Sequence, residues 1–357
     1  MWKISEQIVK TKAKDNYFEA IRGICIIFVV LIHIQNGSNY KELVAYQFNS
    51  NYWLVLRQFI NFPVAVFVFI TAYFTNITKV SQKPWKYYIS RGKRLLIPFV
   101  VWSLFYTAIS IAKEGFNGGI VKILIKIIVG QAAAPFYYIV VLMQLIIITP
   151  ILIKCIKNKY LNTMVFCITP IYLIMTYAYT YVTKHQMPLY GTIFPAWLMF
   201  YYLGLYIKNN GVAQKKDKAL SKAILIVLIA LLFSIIEGYI LLYSRMSMGF
   251  ASSQIKISSF VYSLSIINLI FALKDSGFKT KDNAITKIGN YSYGIFYVHI
   301  LWLMILAKLT DSIPYIHSLL PVYQLIQLTL AIALSALSIV ITRKVIGKKL
   351  ASKYLGF

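Results

Sequence analysis

The sequence predicts an all-α protein: a polytopic membrane helix bundle of about ten transmembrane helices, with both termini on the cytoplasmic side. Three observations predict it. Hydrophobic residues fill 59% of 357 positions and charged residues only 13%, far from the balance of a soluble globular domain. The apolar residues come in runs near twenty long, the length a helix needs to cross roughly 30 Å of hydrocarbon at about 1.5 Å per residue. The basic residues are distributed unevenly between alternate connections, which is the pattern that sets orientation during insertion.

In chain order, the apolar runs predict spans near 20–36, 58–77, 95–112, 136–153, 161–182, 192–207, 223–243, 257–273, 290–307 and 322–342. With that alternation, 28 of the 37 Lys and Arg residues fall in segments placed inside. Seven fall outside: Lys41, Arg57, Lys113, Lys184, Arg245, Lys256 and Lys308. Lys122 and Lys126 belong to neither set. Positive charge stays on the cytoplasmic side, so the asymmetry predicts an even number of crossings with both termini inside. No hydrophilic stretch is long enough to fold separately, and residues 1–357 read as one membrane domain in a bacterial plasma membrane. A net charge of +27 would point to nucleic acid in a soluble protein. Placed beside spans, it points to membrane lipids, and no nucleic-acid partner is expected.

One segment fits no crossing. Residues 120–130 (IVKILIKIIVG) are apolar except for Lys122 and Lys126, which lie on one helical face. That pattern suits a helix lying in the interface or a re-entrant piece. Pro63, Pro98, Pro150, Pro170 and Pro195 fall within spans and predict kinks around a cavity. Cys25, Cys155 and Cys167 offer neither a disulfide framework nor zinc spacing, and no metal site is expected. The charged N-terminus has no early cleavage site, so the first span is expected to be retained.

Ionisable groups that hydrocarbon should exclude carry the functional reading. Arg22 and His33 are eleven steps apart in the first span, which returns to within roughly 20° of the same direction and spaces them about 16 Å along one stripe. Glu19, one turn before Arg22, can pair with it. His299 lies in the ninth span at a depth similar to that of His33. Each histidine must find hydrogen-bond partners there or be costly. Glu237 is the only carboxylate deep in a span, and it needs either a proton or a cation beside it. Arg91 and Arg94 head the third span at i,i+3, placing two guanidinium groups on one face suited to phosphate. The plainer readings are snorkelling arginines, topogenic anchors and buried groups bonded to neighbouring helices.

These pieces, in this order, resemble the integral-membrane acyltransferase-3 family. EAIRGICIIFVVLIH is similar to its opening Arg-x10-His motif, filled by Arg22 and His33. RGKRLLIP resembles its RxxR motif before the third span, and FYYIVVLMQLIIITPIL its aromatic-rich fourth span. GNYSYGIFYVH, ending at His299, resembles its late Ser-Tyr-x-x-Tyr-x-x-His segment. The second span departs: where the family commonly has Phe-Phe-x-x-Ser-Gly, this chain has FVFITAYF, with Thr71 and Ala72 in the last two places.

The resemblance implies an O-acyltransferase moving an acetyl or succinyl group from acyl-CoA to a hydroxyl of a surface polysaccharide or lipid-linked glycan. No tightly bound cofactor is implied. Arg22, Arg91 and Arg94 would hold the phosphates of acyl-CoA. His33 would act as general base or acyl carrier, with His299 and Glu237 orienting it or relaying its proton. Many relatives carry a further extracytoplasmic domain, so without one the acyl group and acceptor would meet in the bundle or on a separate protein. A polysaccharide or solute exporter on the same bundle is the rival reading. A homo-oligomer or a glycan-synthesis partner is compatible with either.

Overall fold

The computed structural model describes residues 15–34, 47–116, 119–211, 219–244, 246–310, 313 and 320–357. Expectations that fall on Lys41, Lys215, Lys216, Lys218, Arg245 and the residues before Asp15 lie outside these. The described elements are helical: α1 (Asn16–His33), α2 (Gln47–Phe59), α3 (Pro63–Tyr73), α4 (Pro84–Glu114), α5 (Gly119–Ile128) and α6 (Tyr137–Ile156). They continue with α7 (Lys159–Thr183), α8 (Leu198–Asn210), α9 (Ala219–Tyr243), α10 (Ile257–Asp275), α11 (Ala284–Thr310) and α12 (Leu320–Ile346).

Local sequence explains the boundaries. Asp15 caps α1 by accepting from the Tyr17 amide, and Asn158 caps α7 by accepting from Tyr160 and Leu161. Pro63 and Pro84 open α3 and α4 at first-turn positions that need no amide donor. Pro98, Pro150 and Pro170 do sit inside helices. Pro63 and Pro195 instead mark breaks: one follows the gap between α2 and α3, the other lies in a 3-10 turn before α8.

Among the described residues, nine stretches are long and apolar enough to cross a membrane. The expected span at 192–207 is the one that differs, because α8 has only 13 residues. Yet α8 runs between the same two ends as α3. The Lys208 ammonium at its C-terminus lies 5.7 Å from the Tyr73 ring at the end of α3. The irregular stretch before it is held by side chains: Gln144 bonds Thr192 O and the Phe194 amide, and Thr169 bonds Pro195 O and the Met199 amide. Non-helical backbone inside a membrane protein survives only when such partners exist.

The start of α1 and the last turn of α12 lie at one end of the bundle. Lys274 pairs with Asp15 at 3.0 Å, and Arg343 lies 5.0 Å over the Tyr291 ring near the start of α11. Lys79, Lys83, Lys86, Arg91 and Arg94 gather around a cavity there, so this is called the basic end. Cysteine at Lys184 and cysteine at Lys208, in separate variants, are expected to react with impermeant reagents from opposite faces of the membrane. Labelling of both from one face would show that α8 does not cross.

α5 is a ten-residue helix with no buried residue, about 15 Å long and too short to span. Ile120, Val121, Leu124, Ile125 and Ile128 are all exposed, as an interfacial helix requires.

Candidate active site

The site is built on the contact between α1 and α11. A methyl group at Gly23 would collide with the Ile285 carbonyl, and one at Gly289 with the Glu19 carbonyl. The two backbones therefore touch, the close approach that small residues permit between membrane helices. This contact brings the far ends into register, where the His33 and His299 rings lie 5.6 Å apart. A second close approach joins α8 to α3, where Gly204 fits against Phe69 O and Ala72. The small residue that the FVFITAYF segment lacks is thus supplied by its neighbour.

One face of α1, comprising Arg22, Ile26, Val29 and His33, lines three successive cavities. The first, about 570 Å³ at the basic end, is bordered by Arg22, Arg91 and Arg94 together with Glu19, Thr71 and Asn290. Arg22 donates to Glu19 at 2.7 Å and lies 5.2 Å over the Phe74 ring, so its guanidinium is fixed at the cavity wall. The three arginines expected to act together are therefore brought together. Tyr293, from the late motif, donates to the Arg94 carbonyl at 3.0 Å and pins the third turn of α4 to α11.

The first cavity ends at Phe67, Tyr138 and Phe296, which also border the second. Tyr138 lies 6.4 Å from Phe67 and 5.6 Å from Phe296, ring to ring, forming an aromatic neck. The second cavity, about 40 Å³, contains His33 with Val29, Val64 and Pro135. That is room for little more than one water molecule. His299 stands behind His33, fully buried. Its Nδ1 donates to Ile295 O at 2.9 Å, which leaves Nε2 with a lone pair and, among the described residues, no hydrogen-bond partner. An unpaired buried nitrogen is costly, and such sites concentrate where function requires them.

His33 also borders a third cavity of about 630 Å³, at the end opposite the arginines. Its lining includes Arg57, Gln131, Tyr137, Tyr190, Trp197 and Gln254. The loops that contribute them are fastened by buried amides at the break between α2 and α3. Gln58 donates to Ala251 O at 3.1 Å, and Asn61 donates to Ser253 O at 3.2 Å. Tyr190 meets Ser253 Oγ at 3.1 Å, and burial pushes its phenol above the usual value, so it stands protonated. Aromatic faces beside amide and hydroxyl groups suit a polyhydroxylated ligand.

Glu237 is placed elsewhere. It is not among the residues that line the cavities of His33. Its carboxylate lies 3.2 Å from Lys256 Nζ and accepts from Tyr177 OH at 2.6 Å and from the Ser258 amide and hydroxyl. Lys256 is fully buried and also donates to Ser234 O and Oγ. The cation that a deep carboxylate needs is thus a residue read from sequence as an outer-loop charge. Among the described residues no cluster of His, Cys, Asp or Glu could hold a metal ion.

Sequence reading missed the aromatic neck and the third cavity, although two of the motifs contain parts of both. Tyr137 and Tyr138 belong to FYYIVVLMQ, and Phe296 to GNYSYGIFYVH. Aromatic residues in apolar runs carry no periodic signal that separates neck from core.

The family model described as an acyltransferase domain matches residues 15–342. The chain is similar to a probable poly-beta-1,6-N-acetyl-D-glucosamine export protein of Staphylococcus aureus strain MSSA476. That relative is 22% identical over 295 residues, covering 78% of this chain and 79% of the relative. The protein of the same name in strain MRSA252 is 24% identical over 260 residues, covering 68% and 69%. No solved structure matches. The Arg-x10-His stripe, the RxxR pair and the late histidine segment converge on one line of cavities, and the match covers them all: the chain belongs to the acyltransferase-3 family of membrane proteins.

Proposed function

We propose that the chain is a membrane O-acyltransferase. It moves an acetyl or succinyl group from acyl-CoA to a hydroxyl of a cell-surface polysaccharide or related envelope glycan. The observation that carries this reading is the line of cavities along α1. It joins an arginine-bordered chamber at one end to a histidine at the other, with the aromatic neck between them. A thioester donor has that shape: charged phosphates at one end and a slender neutral arm leading to the reactive carbon. Arg22 and His33 are about 16 Å apart along the helix, a span for an extended arm.

In this reading the basic end faces the cytoplasm, where acyl-CoA is made, and both termini lie there. Arg22, Arg91 and Arg94 hold the phosphates, and the arm displaces the neck side chains to bring the thioester to His33. The acceptor enters through the third cavity. Its hydroxyl oxygen bonds to the thioester carbon while the C–S bond breaks, the hydroxyl proton passes to His33, and the thiolate leaves as CoA after taking up a proton. His299 is a positioning residue behind the His33 ring. Glu237 acts at a distance, holding the α9–α10 connection that borders the third cavity.

An exporter is the second reading, favoured by the names of the similar staphylococcal proteins. The two separate on chemistry. Purified protein given labelled acyl-CoA and a glycan acceptor is expected to release free CoA and label the acceptor. Movement of glycan with no donor consumed would support export instead. Arg94→Lys is expected to weaken donor binding about 10-fold despite keeping the charge, because a point ammonium cannot replace a two-pronged fork. Unchanged donor affinity in both Arg94→Lys and Arg94→Ala would reduce these arginines to anchors.

A further inference from the structure

A second concave region, of about 610 Å³, opens at the basic end. Lys79, Lys83, Lys86, Arg91 and Arg94 border it, with Asn76, Gln82, Tyr87 and Ser90. It shares Arg91 and Arg94 with the first cavity, so the two cavities adjoin at these arginines. Five cations and, among the described residues, no carboxylate line it. Among the described residues, none of the five makes an ion pair. Like charges gathered in a concave site repel one another until an anion joins them.

The lysines are not carried on a loose connection. Asn76 caps the short helix Ile77–Gln82 by accepting from the Lys79 amide at 2.9 Å, and Val80 in that helix is buried. Tyr87, in the first turn of α4, reaches Tyr201 OH at 3.4 Å. Lys79 and Lys83 bracket one turn, and Lys86 begins the next helix beside them. The result is a fixed cationic wall next to, and separate from, the arginine pair.

Given the acyl-CoA reading, on which this step rests, one ligand must satisfy both cavities. The donor's diphosphate belongs at Arg22, Arg91 and Arg94, because the arm must start there to reach the neck. Its remaining phosphate, on the ribose, then lies on the far side of the two shared arginines. We infer that Lys79, Lys83 and Lys86 bind the ribose 3′-phosphate of the donor, so that the protein selects a 3′-phosphorylated donor over one lacking that group. A phosphatidylglycerol headgroup offers the same phosphate chemistry, but with its single phosphate it cannot occupy the lysines and the arginines together.

The test is direct binding to the full chain in lipid-free neutral detergent, with CoA and 3′-dephospho-CoA as probes. Two proteins are compared, wild type and a triple variant, Lys79→Gln, Lys83→Gln and Lys86→Gln. These side chains are exposed, and an unchanged thermal midpoint checks that the variant is folded. Wild type is expected to bind CoA about 10-fold more tightly than 3′-dephospho-CoA, and the triple variant to bind both equally at the weaker level. Equal affinities in wild type, or a preference that survives in the variant, would overturn the assignment. Titration with phosphatidylglycerol separates the lipid alternative. Loss of lipid binding in the variant with the CoA preference intact would make the lysines a headgroup site. Binding of CoA without turnover would leave the lysine assignment standing and refute the transferase reading. No binding of either nucleotide by wild type would refute both.

Discussion

Replacing His33 with glutamine is expected to lower acyl transfer by about 100-fold or more while leaving acyl-CoA binding intact. Glutamine keeps the approximate size and the hydrogen-bonding capacity of the imidazole, so the packing of α1 against α11 persists. It cannot accept the acceptor's proton. His33 borders both the small cavity beyond the neck and the large one opposite the arginines, which is where the proposed donor arm and acceptor would meet. In the proposed reading the arginines would hold the phosphates about a helix length away, so binding and turnover are expected to separate. Activity of wild type should also rise with pH through the titration of the same imidazole, since only the neutral ring carries the lone pair. Near-normal turnover in His33→Gln would assign the histidine to packing alone.

The second large effect concerns Glu237. Glu237→Ala is expected to destabilise the fold by about 3–5 kcal/mol, because it leaves the fully buried Lys256 ammonium without its counter-charge. Adding Lys256→Met removes the stranded charge and is expected to restore most of that loss, since buried ion pairs contribute little net stability over apolar replacements. The readout is the thermal midpoint of the single and double variants in detergent, alongside acyl transfer. Recovery of both in the double variant fits a residue that holds the α9–α10 connection. A double variant that is folded but inactive would return Glu237 to the chemistry, the role its depth in a span suggested.

Much of this arrangement was legible in the residues. The Arg22–His33 stripe follows from helical geometry, and the structure keeps it as one cavity-lining face of α1. The Glu19 partner of Arg22 followed from i,i+3 spacing and is present at 2.7 Å. The pairing of His33 with His299 was foreshadowed by equal depth. What sets their register is Gly23 against Gly289, a contact between distant segments that no local pattern encodes. The 192–207 segment looked like an ordinary span because its composition is apolar. Its break depends on Gln144 and Thr169, side chains of other helices that satisfy the freed backbone groups. Lys256 was read as a loop charge because its ion pair lies 19 positions away along the chain. Lys79, Lys83 and Lys86 served equally well as topogenic charges, and only the concave groove distinguishes a binding wall from an orientation signal.

In the proposed mechanism, donor and acceptor reach His33 from opposite ends of the bundle. Protein reconstituted in one orientation into sealed vesicles tests it, with labelled acetyl-CoA confined to the side of the basic end and a membrane-impermeant glycan acceptor on the other. The account predicts that label appears on the acceptor across the intact membrane, that free CoA accumulates on the donor side, and that His33→Gln abolishes both. Transfer only when donor and acceptor share one side, or glycan movement with no donor consumed, would contradict it.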